Sequence, residues 1–231
     1  MIPTADISPT VPSPTPASFY PESDEITEEG FGGFRGTWFI GRAFVEDANV
    51  IVHAEGEMLD WLDRLASSAE EFESLAVALE CADASLLSGS LHQRAVQSEF
   101  DQITRDEEFH PLAGLEIGVA GLTYALSVVG CLTAASCRSH ATDHSWADCP
   151  VVLFAARAWR IELLVPLITL EGCGLQEARG MLVVYGQSVR DTHRLACRIL
   201  AERARFRRKP DHWISSPRRP QGRRRSQLRL M

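Results

Sequence analysis

Seven apolar positions, Met58, Leu62, Leu65, Ala69, Phe72, Ala76 and Leu79, recur at alternating steps of four and three residues. That period marks an amphipathic helix of about three heptads, with Glu70, Glu71, Glu73 and Glu80 largely filling its other faces. The same stripe fits burial in the protein's own core and a seam with a like or unlike chain, since both need this spacing. Ahead of it, Trp38, Phe39, Ile40, Phe44, Val45, Val50, Ile51 and Val52 crowd aromatic and β-branched side chains between Phe31 and His53, predicting one or two short strands. Behind it, Leu91 to Phe109 reads as a second helix that ends before Pro111.

Residues 117–137 carry no charge over 21 positions, the length of a membrane span. Glycines at 118, 121 and 130 and several Ser and Thr dilute the run, and Glu116 and Arg138 flank it without a basic cluster. Gly130 divides it, so the prediction is a buried helix up to Val129, a strand over 131–136 and no membrane anchor. A strand at 151–155 (VVLFA), a helix from Ala158 kinked or shortened by Pro166, and a strand at 181–186 (MLVVYG) follow. Ser188 with Asp191 three residues on opens a last helix, whose stripe is Val189, Ala196, Ile199 and Leu200. Strand, helix and strand between 151 and 186 form a βαβ unit, for which a parallel pair and a right-handed crossover are expected. The fold class is α/β, with α+β as its neighbour: a small mixed sheet with this unit in the C-terminal half, packed by amphipathic helices from the N-terminal half.

The ends differ from the body. Residues 1–29 hold six prolines and the acidic run ESDEITEE without apolar periodicity, predicting a disordered leader. One α/β domain is expected over 30–209, helical over 57–109 and α/β over 112–209. Residues 210–231, interrupted by Pro210, Pro217 and Pro220, read as a disordered Arg-rich tail. Residues 203–231 contain eleven basic side chains and one acid, net +10, whereas residues 1–202 contain twelve and thirty, net −18. A cationic arm on an acidic body suits nucleic acid, an acidic protein partner or its own body, with Arg207, Arg208, Arg218, Arg219, Arg223, Arg224 and Arg225 as the contacts. Trp213 alone adds an aromatic to the tail, which gives little platform for base stacking.

Lys209 is the only lysine among twenty-three basic residues. No G-x-x-x-x-G-K-[ST], G-x-G-x-x-G or G-x-S-x-G motif is present, which excludes Walker-type nucleotide hydrolysis, the dinucleotide fingerprint and the nucleophile elbow. Gly30 to Gly36 (GFGGFRG) is glycine-rich without a helix start behind it and reads as a loop or strand entry. The opening MIPTADISPT lacks the basic and apolar regions of a secretory signal, so six reduced cysteines in a cytoplasmic protein are expected. Cys81, Cys131, Cys173 and Cys197 lie in apolar or helical contexts and are expected in the core.

The chemistry concentrates in TAASCRSHATDHSWADC, residues 133–149. Zinc held by Cys137, His140, His144 and Cys149 is one reading, although the spacing lacks the long spacer of familiar fingers. A nucleophilic Cys137 is another, with Arg138 favouring the thiolate, His140 or His144 as base, and Asp143 or Asp148 orienting it. A capped polar loop around an inert cysteine is the third. Thr133, Ser136 and Cys137, a strand end carrying Ser-Cys, resemble the Ser-Ser-Cys-Ser-Gly-Arg loop of the Tyw3-like family, with Ser139-His140 where that family has Gly-Arg. The resemblance implies modification of guanosine-derived bases in transfer RNA with S-adenosylmethionine. The layout is also similar to uncharacterised bacterial proteins with a Ser-Cys-x-Gly-His loop. Three function classes are carried forward: a non-enzymatic binding or accessory protein directed by its tail, an RNA-modifying or metal-dependent enzyme centred on residues 137–149, and a subunit of a larger bacterial complex that uses the 58–79 stripe as its interface.

Overall fold

A computed structural model describes residues 1–12, 26–27, 30–31, 34–35, 42–87, 98, 100, 111–141, 145, 147–178 and 181–207. Three two-residue strands, β1 (Ile26–Thr27), β2 (Gly30–Phe31) and β3 (Phe34–Arg35), make a small antiparallel ribbon. The body then runs α1 (Val45–Leu65), α2 (Ala69–Glu80), α3 (Ala120–Val128), β4 (Leu132–Cys137), β5 (Val151–Ala155), α4 (Ala158–Leu170), β6 (Gly174–Ala178), β7 (Met181–Tyr185) and α5 (Val189–Ala201).

The amphipathic stripe is helical, as its period predicts, but it spans two helices. The chain leaves α1 at Ala66, in extended backbone, and Ser68 starts α2 by accepting the Glu71 N–H at 3.2 Å. Met58, Leu62, Phe72, Ala76 and Leu79 are buried in one cluster with Trp61, Leu112 and Ile117, so this stripe faces the chain's own core. The helix also starts earlier than expected. Val45, Val50, Ile51 and Val52, read from their β-branching as strand, belong to α1, where Ala48, Ile51, Val52, Met58, Leu59 and Leu62 keep a helical burial period. Trp38, Phe39 and Ile40, and nearly all of the expected 91–109 helix, lie outside the described residues.

From Val119 onward the expected elements form. Val129 caps α3, Gly130 turns the chain at φ 83°, and β4 follows. Pro166 lies within α4 without ending it. Asp191 accepts from the Ser188 N–H at 2.9 Å and from its hydroxyl at 2.8 Å, fixing the start of α5.

The sheet order is β4-β5-β7-β6, and every neighbouring pair is antiparallel. The expected parallel pairing of 151–155 with 181–185 is therefore corrected. Sequence reading missed β6, a short strand whose outer residues are polar (GLQEA), and this strand reverses the chain before β7. The crossover itself exists: β5, α4 and β6 form a split βαβ arrangement in which β5 and β6 share a direction and β7 lies between them. The fold is thus a small mixed α/β fold with a four-stranded antiparallel sheet. Val152, Phe154, Leu175, Leu182 and Val184 pack with residues of α1, α3, α4 and α5 in the main core. The alternate side chains Val151, Leu153, Ala155, Met181 and Val183 are buried as well.

Two further expectations are revised, for the N-terminal residues and for two of the cysteines. Residues 1–12, part of the expected disordered leader, form an extended strap held on the body. Ile2 N–H donates to Asp63 at 3.1 Å, Ala5 N–H to the Gln187 carbonyl at 2.7 Å, and Leu175 N–H to the Thr10 carbonyl at 2.9 Å. Cys81 and Cys197, expected in the core, are exposed, whereas Cys131 and Cys173 are buried as expected. Arg207 is exposed at the end of a 3-10 turn, and the other six tail arginines lie outside the described residues. Among the described residues no helix is long and apolar enough to cross a membrane.

Candidate metal centre

The polar loop begins at the C-terminal end of β4, where the strand delivers Cys137 into the body, 2% exposed. Ser139 takes a left-handed φ of 71°, a strained choice for a residue with a Cβ, and this turn aims its N–H at the Cys137 sulfur, 3.4 Å away. Ser145 closes the loop. Its hydroxyl donates to the Ala147 carbonyl at 2.6 Å, accepts from the His140 N–H at 3.1 Å and lies 3.7 Å from the Cys137 sulfur.

Carboxylates from two other segments meet this loop. Glu73 and Glu80 are seven residues apart on α2 and so share one helix face. Glu116 precedes α3. Arg138, 1% exposed, bridges the two α2 carboxylates, with Nη2 at 3.1 Å from Glu73 and Nη1 at 3.3 Å from Glu80. Its backbone N–H donates to Glu116 at 2.6 Å. His140 lies between two carboxylates: Nδ1 is 2.7 Å from Glu73 and Nε2 is 3.0 Å from Glu116. Burial lowers the His140 ring, but hydrogen bonds with Glu73 and the charge of Glu116 outweigh it, even beside Arg138, and hold the ring above its ordinary range. Burial pushes the Glu80 carboxyl up to about 7, against the pull of Arg138 and the Ile117 N–H.

Among the described residues the donor atoms of Glu116, Cys137 and His140 lie within 4.8 Å of one another. Carboxylate, thiolate and imidazole are the oxygen, sulfur and nitrogen ligands of zinc-type ions. Tetrahedral zinc spaces its ligand atoms at about 3.3–3.8 Å, from bonds of about 2.0–2.3 Å, and His140 Nε2 and Glu116 Oε1 already stand 3.0 Å apart. Of the four ligands expected from the sequence, Cys137 and His140 are brought together. Cys149 is half-buried outside this group, its thiol pushed up by burial and by Asp148 and Cys137, and His144 and Asp143 lie outside the described residues. Arg138, read as an activator of the Cys137 thiolate, spends its guanidinium on Glu73 and Glu80.

The loop borders a cleft of about 190 Å³ walled by Pro3 and Ala5 of the strap, Phe72 and Glu73 of α2, Arg138 and His140. Sequence reading missed Glu73, Glu80 and Glu116. The seven-residue spacing of the first two was the available signal; nothing local marks Glu116. Comparison of the chain with protein-family models, with curated proteins and with solved structures finds no match.

Proposed function

We propose that the chain is a metal-dependent enzyme acting on a small polar substrate, with Glu116, Cys137 and His140 holding one zinc-type ion. The observation that carries this reading is the convergence of three different ligand types, of which His140 lines the cleft, with Glu73 on the far nitrogen of the imidazole. A carboxylate on the second ring nitrogen fixes the tautomer and orientation of a metal-bound histidine, which leaves Nε2 for the ion. The Ser139 N–H at the sulfur supports Cys137 in the same way, by hydrogen bonding to a thiolate ligand. Three protein ligands leave a fourth position, and an ion held this way supplies an activated water for hydrolysis. The cleft beside His140, about 190 Å³, would take a small molecule or the end of a larger one.

Titration of chelator-treated protein with Co²⁺ tests the reading. One ion per chain with thiolate-to-cobalt charge transfer is expected, absent in Cys137→Ser, and Glu73→Gln is expected to weaken binding about 10–100-fold. Binding that Cys137→Ser leaves intact, or no stoichiometric binding, rules the centre out.

A second reading rests on charge segregation, a net +10 over residues 203–231 against −18 elsewhere: the protein binds nucleic acid or an acidic partner through its C-terminal segment. Deleting residues 210–231 is then expected to abolish binding to an RNA or DNA oligonucleotide, which in the full chain weakens steeply with added salt. Salt-independent binding, or binding retained by the deletion, excludes it.

A further inference from the structure

Away from the β4 loop, a line of polar groups runs from the interior to the surface across α1 and α5. Glu55 on α1 is fully buried and accepts the Gly118 N–H at 2.8 Å and the Gly121 N–H at 3.1 Å. Its second oxygen is 2.9 Å from His193 Nδ1. On the other side of the ring, Nε2 is 3.6 Å from the sulfur of Cys197. His193 and Cys197 are four residues apart on α5, so one turn of helix stacks them on the same face. The carboxylate orients the imidazole, and the imidazole meets an exposed sulfur.

We propose that Cys197 is a covalent modification site, a nucleophilic thiol positioned by His193 and Glu55 that forms mixed disulfides with low-molecular-weight disulfides. A cysteine that shares its proton with an imidazole attacks as the thiolate. Cys197 attacks as a thiolate beside the protonated His193 ring, whose Nε2 carries the shared proton. The sulfur bonds to one sulfur of the incoming disulfide, and the S–S bond breaks with its electron pair on the other sulfur, which leaves as a thiol carrying that proton. One disulfide and one protein thiol become one mixed disulfide and one small thiol, with no further oxidant.

The surroundings single out this thiol. Cys131 and Cys173 are buried, and burial pushes both thiols up to about 12. Cys137 is buried and Cys149 half-buried. Cys81 is exposed at the end of α2 and has no imidazole partner among the described residues. The charges around the His193–Cys197 pair are accounted for. On α1, Glu55 faces the ring, while Asp60 and Asp63 pair with Arg190. Helix α3, packed on α5, carries no charged side chain, and Glu171 after α4 engages Arg194 and Arg198. Burial lowers the His193 ring, but the hydrogen bonds to Cys197 and Glu55 and the charge of Glu55 outweigh it and hold the ring at about 9. At neutral pH the ring therefore presents a proton to whichever sulfur bears the charge.

The test exposes the full-length native protein to oxidised glutathione near neutral pH, quenches with acid and locates the adducts by peptide mass spectrometry. Cys197 is expected to react roughly tenfold or more faster than Cys81, and His193→Gln to bring its rate down to that of Cys81. Should His193→Gln fail to fold, the ratio of the two rates in the unmodified protein decides, measured from about pH 6 to about pH 10. It is expected to fall as pH rises through about 9 and the ring loses its proton. A Cys197 rate no higher than that of Cys81, a lead that survives His193→Gln, or a ratio flat with pH overturns the proposal.

Discussion

Glu55→Ala is expected to destabilise the protein by roughly 3–5 kcal/mol, the range for removing one partner from a buried ionic network. Helix α3 begins at Val119 without a side-chain cap of its own, so its first turn needs acceptors from elsewhere. Glu55 supplies them from α1, accepting from Gly118 and Gly121 while its charge sits at the positive end of the helix. The close approach depends on glycine, since a Cβ at Gly121 would lie 2.4 Å from a Glu55 oxygen. Alanine at 55 strands two buried donors and leaves His193 without its carboxylate. Glu55→Gln keeps a carbonyl for the amides and should cost less, about 1–3 kcal/mol. The two variants also differ from the native protein in pH dependence. His193 is held at about 9 in the folded protein against an ordinary value of about 6.5. Its contribution is fully present below about 6.5 and is lost as pH rises through about 9, a decline of at most about 3 kcal/mol. Denaturant midpoints across this window should show the decline in the native protein and a flatter profile in Glu55→Gln. A Glu55→Ala cost below about 1 kcal/mol would mean that water, not Glu55, satisfies α3.

Glu55 also explains why α1 was misread. The buried period of the helix runs Ala48, Ile51, Val52, Glu55, Met58, Leu59 and Leu62, and the only charged member interrupts the apolar stripe in the middle. To the left of that interruption, Val50, Ile51 and Val52 look like a strand; to the right, Met58 and Leu62 look like the start of a helix. Local rules fail where a buried polar group does a tertiary job. The same holds for the candidate centre. Cys137 and His140 were legible because two ligand types lay three residues apart in a polar loop. Glu73 and Glu80 looked like solvated faces because pattern assigns acids to the outside, and only the packing of α2 on the loop turns them inward. Where caps and turns are local, as with Gly130 before β4 and Ser188 with Asp191 before α5, sequence and structure agree. Strand β6 escaped because five residues with two exposed polar side chains carry no period distinct from a loop.

Arg138→Met should be the second costly change, and its cost should grow with pH. The guanidinium is nearly sealed from solvent and stands between Glu73 and Glu80. Removing it leaves two largely buried carboxylates with one remaining cation, His140, which is shared with Glu116. Uncompensated charge of this kind costs about 3–5 kcal/mol. Glu80 sets the pH window. Its carboxyl, pushed up to about 7 by burial although Arg138 pulls it down, should rise further once Arg138 is gone. A carboxyl raised on folding stabilises fully below its unfolded value of about 4.5, and that contribution is lost as pH rises through the folded one. The variant should therefore approach native stability near about pH 5, where Glu80 is neutral, and fall well below it near about pH 8. Among the described residues Arg138 Nε and Nη1 have no hydrogen-bond partner, so the guanidinium is itself imperfectly satisfied and the network as a whole is worth less than the loss of one member suggests. Adding Glu73→Gln and Glu80→Gln to Arg138→Met should then recover most of the lost stability and flatten its pH dependence, because no buried charge remains unpaired on α2. Thermal melts of the single and triple variants at the two pH values decide the matter: a single variant with a pH-independent cost, or a triple variant no more stable than the single, would show that Arg138 is held by packing and not by its carboxylates.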